Sequence, residues 1–158
     1  MKRGRAAALL LVLIAGSPDK ATARGSSSSE RPLSAEHVSG LPPDIRRAVE
    51  AQARACGNEA AARHYFSTSI TVGKLSFRSL HFEEFECHRP GAVCNASGCL
   101  HEIYLESNGH HRKVFSTYAG DLRMTSEGGN MIIEVTGGPS SGTFRWNGSR
   151  FVSVIGNH

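Results

Sequence analysis

The segment Cys94-Asn95-Ala96-Ser97-Gly98-Cys99 places small, turn-forming residues between two cysteines. The other two cysteines, Cys56 and Cys87, precede it, and an even number of closely spaced cysteines is typical of disulfide-bonded exported proteins. Four cysteines permit three pairings. We favour Cys56 with Cys87 and Cys94 with Cys99, because the second pair brackets the turn. The sequence therefore predicts two disulfides.

A zinc site is the alternative hypothesis for the same region. The residues that offer sulfur or nitrogen ligands are Cys87, His88, Cys94, Cys99 and His101. No second close cysteine pair or spaced histidine pair completes a zinc pattern, and an oxidising compartment converts thiols to disulfides. We expect structural disulfides and neither a metal nor another cofactor, with zinc binding between Cys87 and His101 as the alternative.

The N-terminus has the three parts of a secretory signal peptide. Basic residues begin the chain, Ala6 to Ala15 is an apolar run, and Ala21-Thr22-Ala23 forms a small-x-small cleavage site. The run is too short to cross a bilayer, which needs about twenty residues. Residues 1–23 are therefore predicted to be a signal peptide, and the protein to be exported to the periplasm or the medium without a membrane anchor after cleavage.

Removal of this segment changes the charge of the chain. The full chain has a net charge of +4, and four of its basic residues and one acidic residue lie in 1–23, so the remainder has a net charge of +1. The remaining arginines do not cluster, which argues against nucleic-acid binding. Residues 24–36 are rich in glycine and serine and predict a flexible tether. A single disulfide-stabilised, β-rich domain is predicted over residues 37–156.

One helix and a series of strands are predicted in this domain. Ile45, Val49, Ala53 and Cys56 recur at helical spacing, with Gln52 on the same stripe, and Gly57 can end the helix. His64 to Val72 and Leu75 to Glu86 have the composition of strands. Asn108-Gly109 and Asn147-Gly148 predict hairpin turns between later strands.

Together these elements predict an α+β, mainly β fold. One N-terminal helix packs on an antiparallel meander of about six to eight strands. The core candidates are Ile103, Leu105, Val114, Met131, Ile133, Val135, Phe144, Trp146 and Val152.

The order of these motifs resembles a group of small, uncharacterised secreted bacterial proteins. The shared features are a helix that ends in cysteine, the strand end Phe85-Glu86-Cys87, the segment from Cys94 to Cys99, and a terminal hairpin at Trp146-Asn147-Gly148. The resemblance spans most of Leu41 to Val152. Members often carry a calcium-type loop after the helix, but the corresponding Ile70 to Leu75 has no carboxylate, so the resemblance implies neither calcium binding nor an activity here.

Three groups of residues are candidates for catalysis. Gly138-Pro139-Ser140-Ser141-Gly142 matches a nucleophile elbow, but a strand and not a helix is predicted to follow, so we expect a turn. Glu83, Glu84 and Glu86 offer acid and base groups, with Glu84 and Glu86 on one face of a strand; a solvated strand edge is the simpler interpretation. His110 and His111 lie across a predicted hairpin from His101, where a surface position is the simpler interpretation.

Two classes of function follow from these observations. We expect an exported, non-enzymatic binding module that recognises a protein or carbohydrate partner in the cell envelope, because no catalytic constellation is evident. The alternative is a small secreted hydrolase that uses Glu83, Glu84 or Glu86 with a histidine.

Overall fold

The computed structural model describes residues 32–154. The predicted signal peptide and residues 24–31 of the predicted tether lie outside the described residues. The described part begins with two helices, α1 (Glu36–Ser39) and α2 (Pro43–Cys56). Neither is long and apolar enough to cross a membrane, and the same holds for every other helix between residues 32 and 154.

The end of the predicted tether belongs to the folded domain. The main chains of Ser34 and Ala62 exchange hydrogen bonds of 2.9 and 3.2 Å. Helix α1 starts at Glu36, and its Val38 is buried in the core. The fold therefore begins before residue 37, where the sequence placed its start. Residues 32–36 have the composition of a solvated segment. They nevertheless belong to the fold because the main chain of Ser34 pairs with the distant residue Ala62.

Helix α2 confirms the predicted helix that ends at Cys56. Pro43 lies in its first turn, where the missing N–H costs no intrahelical hydrogen bond. Gly57 ends the helix with φ 77°, a left-handed conformation that glycine adopts without strain. The residues of its buried stripe are Ile45, Val49, Ala53 and Cys56.

Nine strands follow α2, and all their pairings are antiparallel. Their bounds are β1 (Ser67–Val72), β2 (Leu75–His81), β3 (Cys94–Asn95), β4 (Gly98–Ser107), β5 (His110–Ala119), β6 (Asp121–Glu127), β7 (Asn130–Thr136), β8 (Gly142–Trp146) and β9 (Phe151–Ser153). One sheet has the order β1-β2-β4-β3, with β5 also paired to β4, and the other has the order β6-β7-β8-β9. The predicted α+β class is confirmed. The strands, however, are divided between two sheets.

The five-stranded sheet separates two hydrophobic cores. Its strand β4 contributes Leu100 and Tyr104 to the core shared with α2, and Ile103 and Leu105 to the core shared with the four-stranded sheet. Of the predicted core residues, Ile103, Leu105, Met131, Ile133, Val135 and Trp146 are buried. The predicted core residues Val114, Phe144 and Val152 are only half-buried.

A single glycine joins the two sheets. Strand β5 ends at Ala119 and β6 begins at Asp121, so only Gly120 lies between them. The N–H of Gly120 donates to the carbonyl oxygens of Thr136, at 2.8 Å, and Gly137. This connection places the start of β6 beside the five-stranded sheet.

Both predicted disulfides are confirmed. Cys56 is bonded to Cys87 and Cys94 to Cys99, with sequence separations of 31 and 5 residues. The predicted turn at Asn108-Gly109 is confirmed as well, since both residues have positive φ between β4 and β5. The first disulfide fixes the end of α2 to the loop that follows β2, and the second closes the β3–β4 turn.

Candidate functional site

Two histidines face each other on neighbouring strands. His81 at the end of β2 pairs directly with His101 of β4. Their side chains lie on the same sheet face as Phe77 and Ile103, which pack against the four-stranded sheet, because alternate residues of a strand share a face. His101 is fully buried and His81 is 9% exposed. The tertiary fold thus brings two imidazoles together between the sheets.

A turn after β2 adds a carboxylate to this pair. The chain leaves the sheet as a 3₁₀ turn over Phe82–Glu84. Glu83 Oε1 lies 3.7 Å from His81 Nδ1, and Glu83 Oε2 lies 3.8 Å from His101 Nε2. One ligand atom from each of the three residues lies within 4.8 Å of the others. We call His81, Glu83 and His101 the His₂Glu cluster.

Hydrogen bonds fix both imidazole rings. His101 Nε2 lies 3.3 Å from the carbonyl oxygen of Ala119, which can only accept, so this nitrogen carries the proton. His101 Nδ1 then accepts from His81 Nδ1 at 3.2 Å. His81 Nε2 accepts from Ser79 Oγ at 2.7 Å, and Ser79 Oγ accepts from Thr68 Oγ1 at the same distance. The geometry therefore assigns one directed chain of hydrogen bonds to two neutral imidazoles.

Burial controls the protonation of the cluster. Burial lowers the pKa of His81 to about 4, with a smaller contribution from His101. Burial also lowers the pKa of His101. Burial is the main cause that raises the pKa of Glu83 to about 7, and the nearby carboxylates of Glu84 and Asp121 contribute to the same rise. The imidazoles are consequently neutral at pH 7 and keep lone pairs that can bind a metal.

The cluster opens into a cleft between the two sheets. The cleft has a volume of ≈ 550 Å³. Its lining residues belong to or precede β1, end or follow β2, or belong to β6. They are Tyr65, Thr68, Ser69, Ile70, His81, Glu83, Glu84, Asp121, Leu122, Arg123 and Met124. Glu84 is only 8% exposed. Its Oε2 is buried and has no hydrogen-bond partner among the described residues.

The cluster has the ligand types of a zinc site, and its two histidine Nδ1 atoms have the spacing of zinc ligands. Two imidazole nitrogens and a carboxylate oxygen form one of the ligand sets of catalytic zinc, which leaves a fourth position open. At zinc–nitrogen distances of about 2.0–2.1 Å, tetrahedral ligands lie about 3.3 Å apart. The Nδ1 atoms of His81 and His101 are 3.2 Å apart. When both Nδ1 atoms bind a metal, each Nε2–H can donate to Ser79 or Ala119, as the outer partners of metal-bound histidines do.

The cysteine-based zinc hypothesis is wrong. All four cysteines form disulfides, so no thiolate remains to bind zinc. Of the residues proposed for that site, only His101 belongs to the His₂Glu cluster. His81 was not predicted as a site residue, because its partner is a residue on another strand and only the β2–β4 register reveals the pair.

The three glutamates do not share a strand as predicted. Strand β2 ends at His81, and the 3₁₀ turn sends the glutamates in different directions. Glu83 reaches the histidines and Glu84 is buried in the cleft, whereas Glu86 lies outside it, 3.5 Å from His88. The solvated strand edge is therefore wrong for Glu84. Of the three glutamates named for the hydrolase alternative, Glu83 and Glu84 line the cleft.

The remaining catalytic candidates do not join the site. His111 pairs with Glu106 of β4, and its side chain lies 3.3 Å from Asp44 of α2. His101 pairs with Thr117 on the same strand β5, so the predicted proximity of His101 to His110 and His111 is wrong. The Gly138 to Gly142 segment forms the predicted turn, in which Ser141 Oγ donates to the Gly138 carbonyl.

Comparisons with known proteins add no relative. No family model matches the chain, and no curated protein or solved structure matches it either. Function is consequently inferred from the geometry of the cleft.

The opposing pKa shifts of the cluster predict a specific pH dependence of stability in metal-free protein. The pKa of His81 falls from 6.5 to about 4 on folding, so its contribution to stability is complete above pH 6.5 and is lost as the pH falls towards 4. The pKa of Glu83 rises from 4.5 to about 7, so its contribution is complete below pH 4.5 and is lost as the pH rises through 7. The two slopes oppose each other between these limits.

Glu83→Gln should expose the slope of His81. We expect the free energy of unfolding of this variant to rise by about 2 kcal/mol between pH 4.5 and 6.5, and to rise more steeply than that of the wild type. Urea unfolding with a chelator present, followed by circular dichroism at each pH, measures both curves. Parallel curves for the variant and the wild type would contradict the opposing shifts.

Proposed function

We propose that this protein is an exported domain that binds a divalent transition metal, with zinc the best fit, through His81, Glu83 and His101. The observation that carries the proposal is the 3.2 Å separation of the two Nδ1 atoms, which is the separation of neighbouring ligands on tetrahedral zinc. Glu83 supplies the third ligand from a side chain that is 36% exposed and therefore free to adjust.

The surroundings of the cluster support metal binding. Ser79 and the carbonyl of Ala119 hold the far nitrogens of the two rings, and such outer contacts set the orientation and basicity of metal-bound histidines. Asp121 adds negative charge that acts on His81, Glu83 and His101. The far nitrogens of both rings are therefore held by partners, and the negative charge around the cluster favours a cation.

The proposed compartment is the periplasm or the extracellular medium. The disulfides support it, because such bonds persist in oxidising compartments. The basic start, the apolar run and the cleavage site at Ala21-Thr22-Ala23 support export with removal of residues 1–23. Recognition of a protein or carbohydrate in the envelope stays a prediction, because no feature of the described cleft favours it over a metal ion.

Metal titration tests the proposal directly. Protein with both disulfides formed is titrated with Zn²⁺ by calorimetry at pH 7.5, and with Co²⁺ by visible absorption. We expect one ion per chain and an intense four-coordinate Co²⁺ spectrum. His101→Asn should weaken the affinity at least about 100-fold, and Glu83→Gln at least about tenfold, since each removes a ligand.

Glu86→Gln is the matched control for Glu83→Gln. It makes the same chemical change on the same segment, but Glu86 pairs with His88 outside the cleft. Its affinity for Zn²⁺ should equal that of the wild type. Absence of stoichiometric binding, or equal affinities of wild type and His101→Asn, would overturn the proposed metal site.

A further inference from the structure

The two imidazoles of the His₂Glu cluster satisfy their polar atoms with protein partners. His81 Nδ1 donates to His101 Nδ1 at 3.2 Å. The outer nitrogens contact Ser79 Oγ at 2.7 Å and the Ala119 carbonyl oxygen at 3.3 Å. Among residues 32–154, the buried side-chain nitrogen and oxygen atoms without a partner belong to other residues, namely Glu84, His111, Thr125 and Trp146. The pair therefore needs no ion to offset the desolvation of its nitrogens.

A metal at the cluster competes with the hydrogen bond between the two rings. A neutral imidazole has one N–H group and one lone pair. His81 uses its Nδ1 proton for the bond to His101 and its Nε2 lone pair for the bond from Ser79. Its Nδ1 is the nitrogen that faces the other two ligands, since it also lies 3.7 Å from Glu83 Oε1. To bind a metal through Nδ1, His81 must carry its proton on Nε2 instead.

This change of tautomer reverses the two hydroxyl hydrogen bonds behind His81. Ser79 is fully buried, and its Oγ lies 2.7 Å from both His81 Nε2 and Thr68 Oγ1. Ser79 donates to Nε2 when this nitrogen has a lone pair, and must accept when it carries a proton. The single proton of Ser79 then points to Thr68, which is exposed and can turn its own proton to solvent. Rotation of two hydroxyl groups thus satisfies both tautomers.

The third ligand lies where an ion can enter and leave. Glu83 belongs to the turn over Phe82–Glu84, lines the cleft, and has a side chain that is 36% exposed. The disulfides and the two hydrophobic cores, which hold the fold together, are formed by other residues. A structural zinc ion, by contrast, supplies much of the folding energy of its domain. An ion that leaves the cluster consequently leaves a folded protein behind.

We propose that the cluster exchanges its metal with the surroundings, as a carrier or buffer of metal ions does, and that Ser79 is the positioning residue that permits both states. This inference rests on the proposed metal site. In one state, His81 donates from Nδ1 to His101. In the other state, Nδ1 binds the metal and Nε2 donates to Ser79. His81 loses one proton at Nδ1 and gains one at Nε2, both by exchange with water, so its charge is unchanged.

The position of the His81 proton tests this inference directly. Long-range proton–nitrogen correlation spectra of ¹⁵N-labelled protein at pH 7.5 distinguish ring nitrogens that carry a proton from those that do not. The signals of His81 are assigned by their loss in His81→Gln. With a chelator, we expect a folded protein in which His81 carries its proton on Nδ1 and His101 on Nε2. With one equivalent of Zn²⁺, both protons should be on Nε2, and the chelator should restore the first spectrum.

Ser79→Ala tests the positioning role. The metal-bound state of this variant lacks the acceptor of His81 Nε2–H, so calorimetry should show an affinity for Zn²⁺ at least about tenfold lower. Its spectrum with chelator should still show the His81 proton on Nδ1, because the bond to His101 remains. Ser76→Ala is the matched control: it makes the same change on the same strand, but Ser76 pairs with Thr71 near the other end of β2. Its affinity should equal that of the wild type.

The exposed end of the hydroxyl chain provides an independent pair of variants. Thr68→Val removes the group that accepts from Ser79 in the metal-bound state, and should lower the affinity for Zn²⁺ by roughly threefold. Thr68→Ser keeps the hydroxyl group and should bind as the wild type does. Because Thr68 is exposed, this pair carries the test if Ser79→Ala does not fold.

Each failure has a distinct meaning. If the wild type binds no Zn²⁺, the proposed function and the inference both fail. If it binds Zn²⁺ while His81 keeps its proton on Nδ1, only the inference is overturned. Loss of the folded state in chelator would overturn metal exchange but leave a metal site in place. Wild-type affinity in Ser79→Ala, or equal affinities of Thr68→Val and Thr68→Ser, would overturn the role of the hydroxyl chain.

Discussion

Gly98→Ala is expected to lower the free energy of unfolding by about 4 kcal/mol, a large effect for one methyl group. A Cβ atom at this position would lie 2.0 Å from the carbonyl oxygen of Ala119 and 2.2 Å from its carbonyl carbon. Both contacts are with backbone, which cannot rotate away as a side chain does. Gly98 also has φ +112°, a conformation that residues with a Cβ rarely adopt.

Gly109→Ala is the matched control for this substitution. Gly109 also has positive φ, at +76°, but a Cβ atom there would have no neighbouring atom within 4 Å. Its cost should be limited to backbone strain, about 1 kcal/mol. Urea unfolding of the three proteins, followed by circular dichroism, measures the difference. Equal losses in the two variants would show that the close approach to Ala119 contributes nothing.

Gly98→Ala should also affect the His₂Glu cluster. The carbonyl oxygen that a methyl group at Gly98 would strike is the one that accepts the hydrogen bond from His101 Nε2. The close approach of β4 to β5 at Gly98 therefore also fixes the tautomer of His101. A Gly98→Ala protein that still folds should bind Zn²⁺ more weakly than the wild type, because the acceptor of His101 is displaced.

Removal of the Cys56–Cys87 disulfide is the second large expected effect. The double variant Cys56→Ser/Cys87→Ser should lose about 3–4 kcal/mol, because a bond that closes a separation of 31 residues restricts the unfolded chain. Cys56 is fully buried in the core shared with α2, so serine adds the cost of a buried hydroxyl group. The bond also anchors the segment that follows the Phe82–Glu84 turn, and hence the position of Glu83.

The other disulfide provides the comparison. Cys94→Ser/Cys99→Ser opens a separation of only 5 residues, for which chain entropy gives about 2 kcal/mol. Urea unfolding of both double variants under non-reducing conditions measures the ranking. A larger loss on removal of the shorter loop would contradict the chain-entropy explanation.

Local sequence patterns correctly predicted the structural features that neighbouring residues determine. The stripe of Ile45, Val49 and Cys56, closed by Gly57, predicted α2 because helical spacing and a left-handed stop are properties of neighbouring residues. Asn108-Gly109 predicted its turn because both residues accept positive φ. The disulfide pairing followed from the short spacing of Cys94 and Cys99.

Features that depend on distant residues could not be predicted from local sequence patterns. The run from Leu75 to Glu86 has strand composition throughout, yet the strand ends at His81 because Phe82 and Phe85 turn into the core beside α2. This turn separates Glu83, Glu84 and Glu86. The division into two sheets depends on Gly120. Its N–H donates to the carbonyl oxygens of Thr136, the last residue of β7, and of Gly137, the next residue.

Helix α2, the predicted turns, the disulfides and the mainly β class could be predicted from local sequence, because adjacent residues set backbone conformation and hydrophobic period. The candidate site could not, because it forms only when the strands assemble. His81 and His101 are 20 residues apart and meet through strand register, whereas Glu83 joins them through a turn. No local pattern encodes which residue lies opposite on another strand. The physical reason is that register is set by burial of whole faces, which is a property of the assembled sheets.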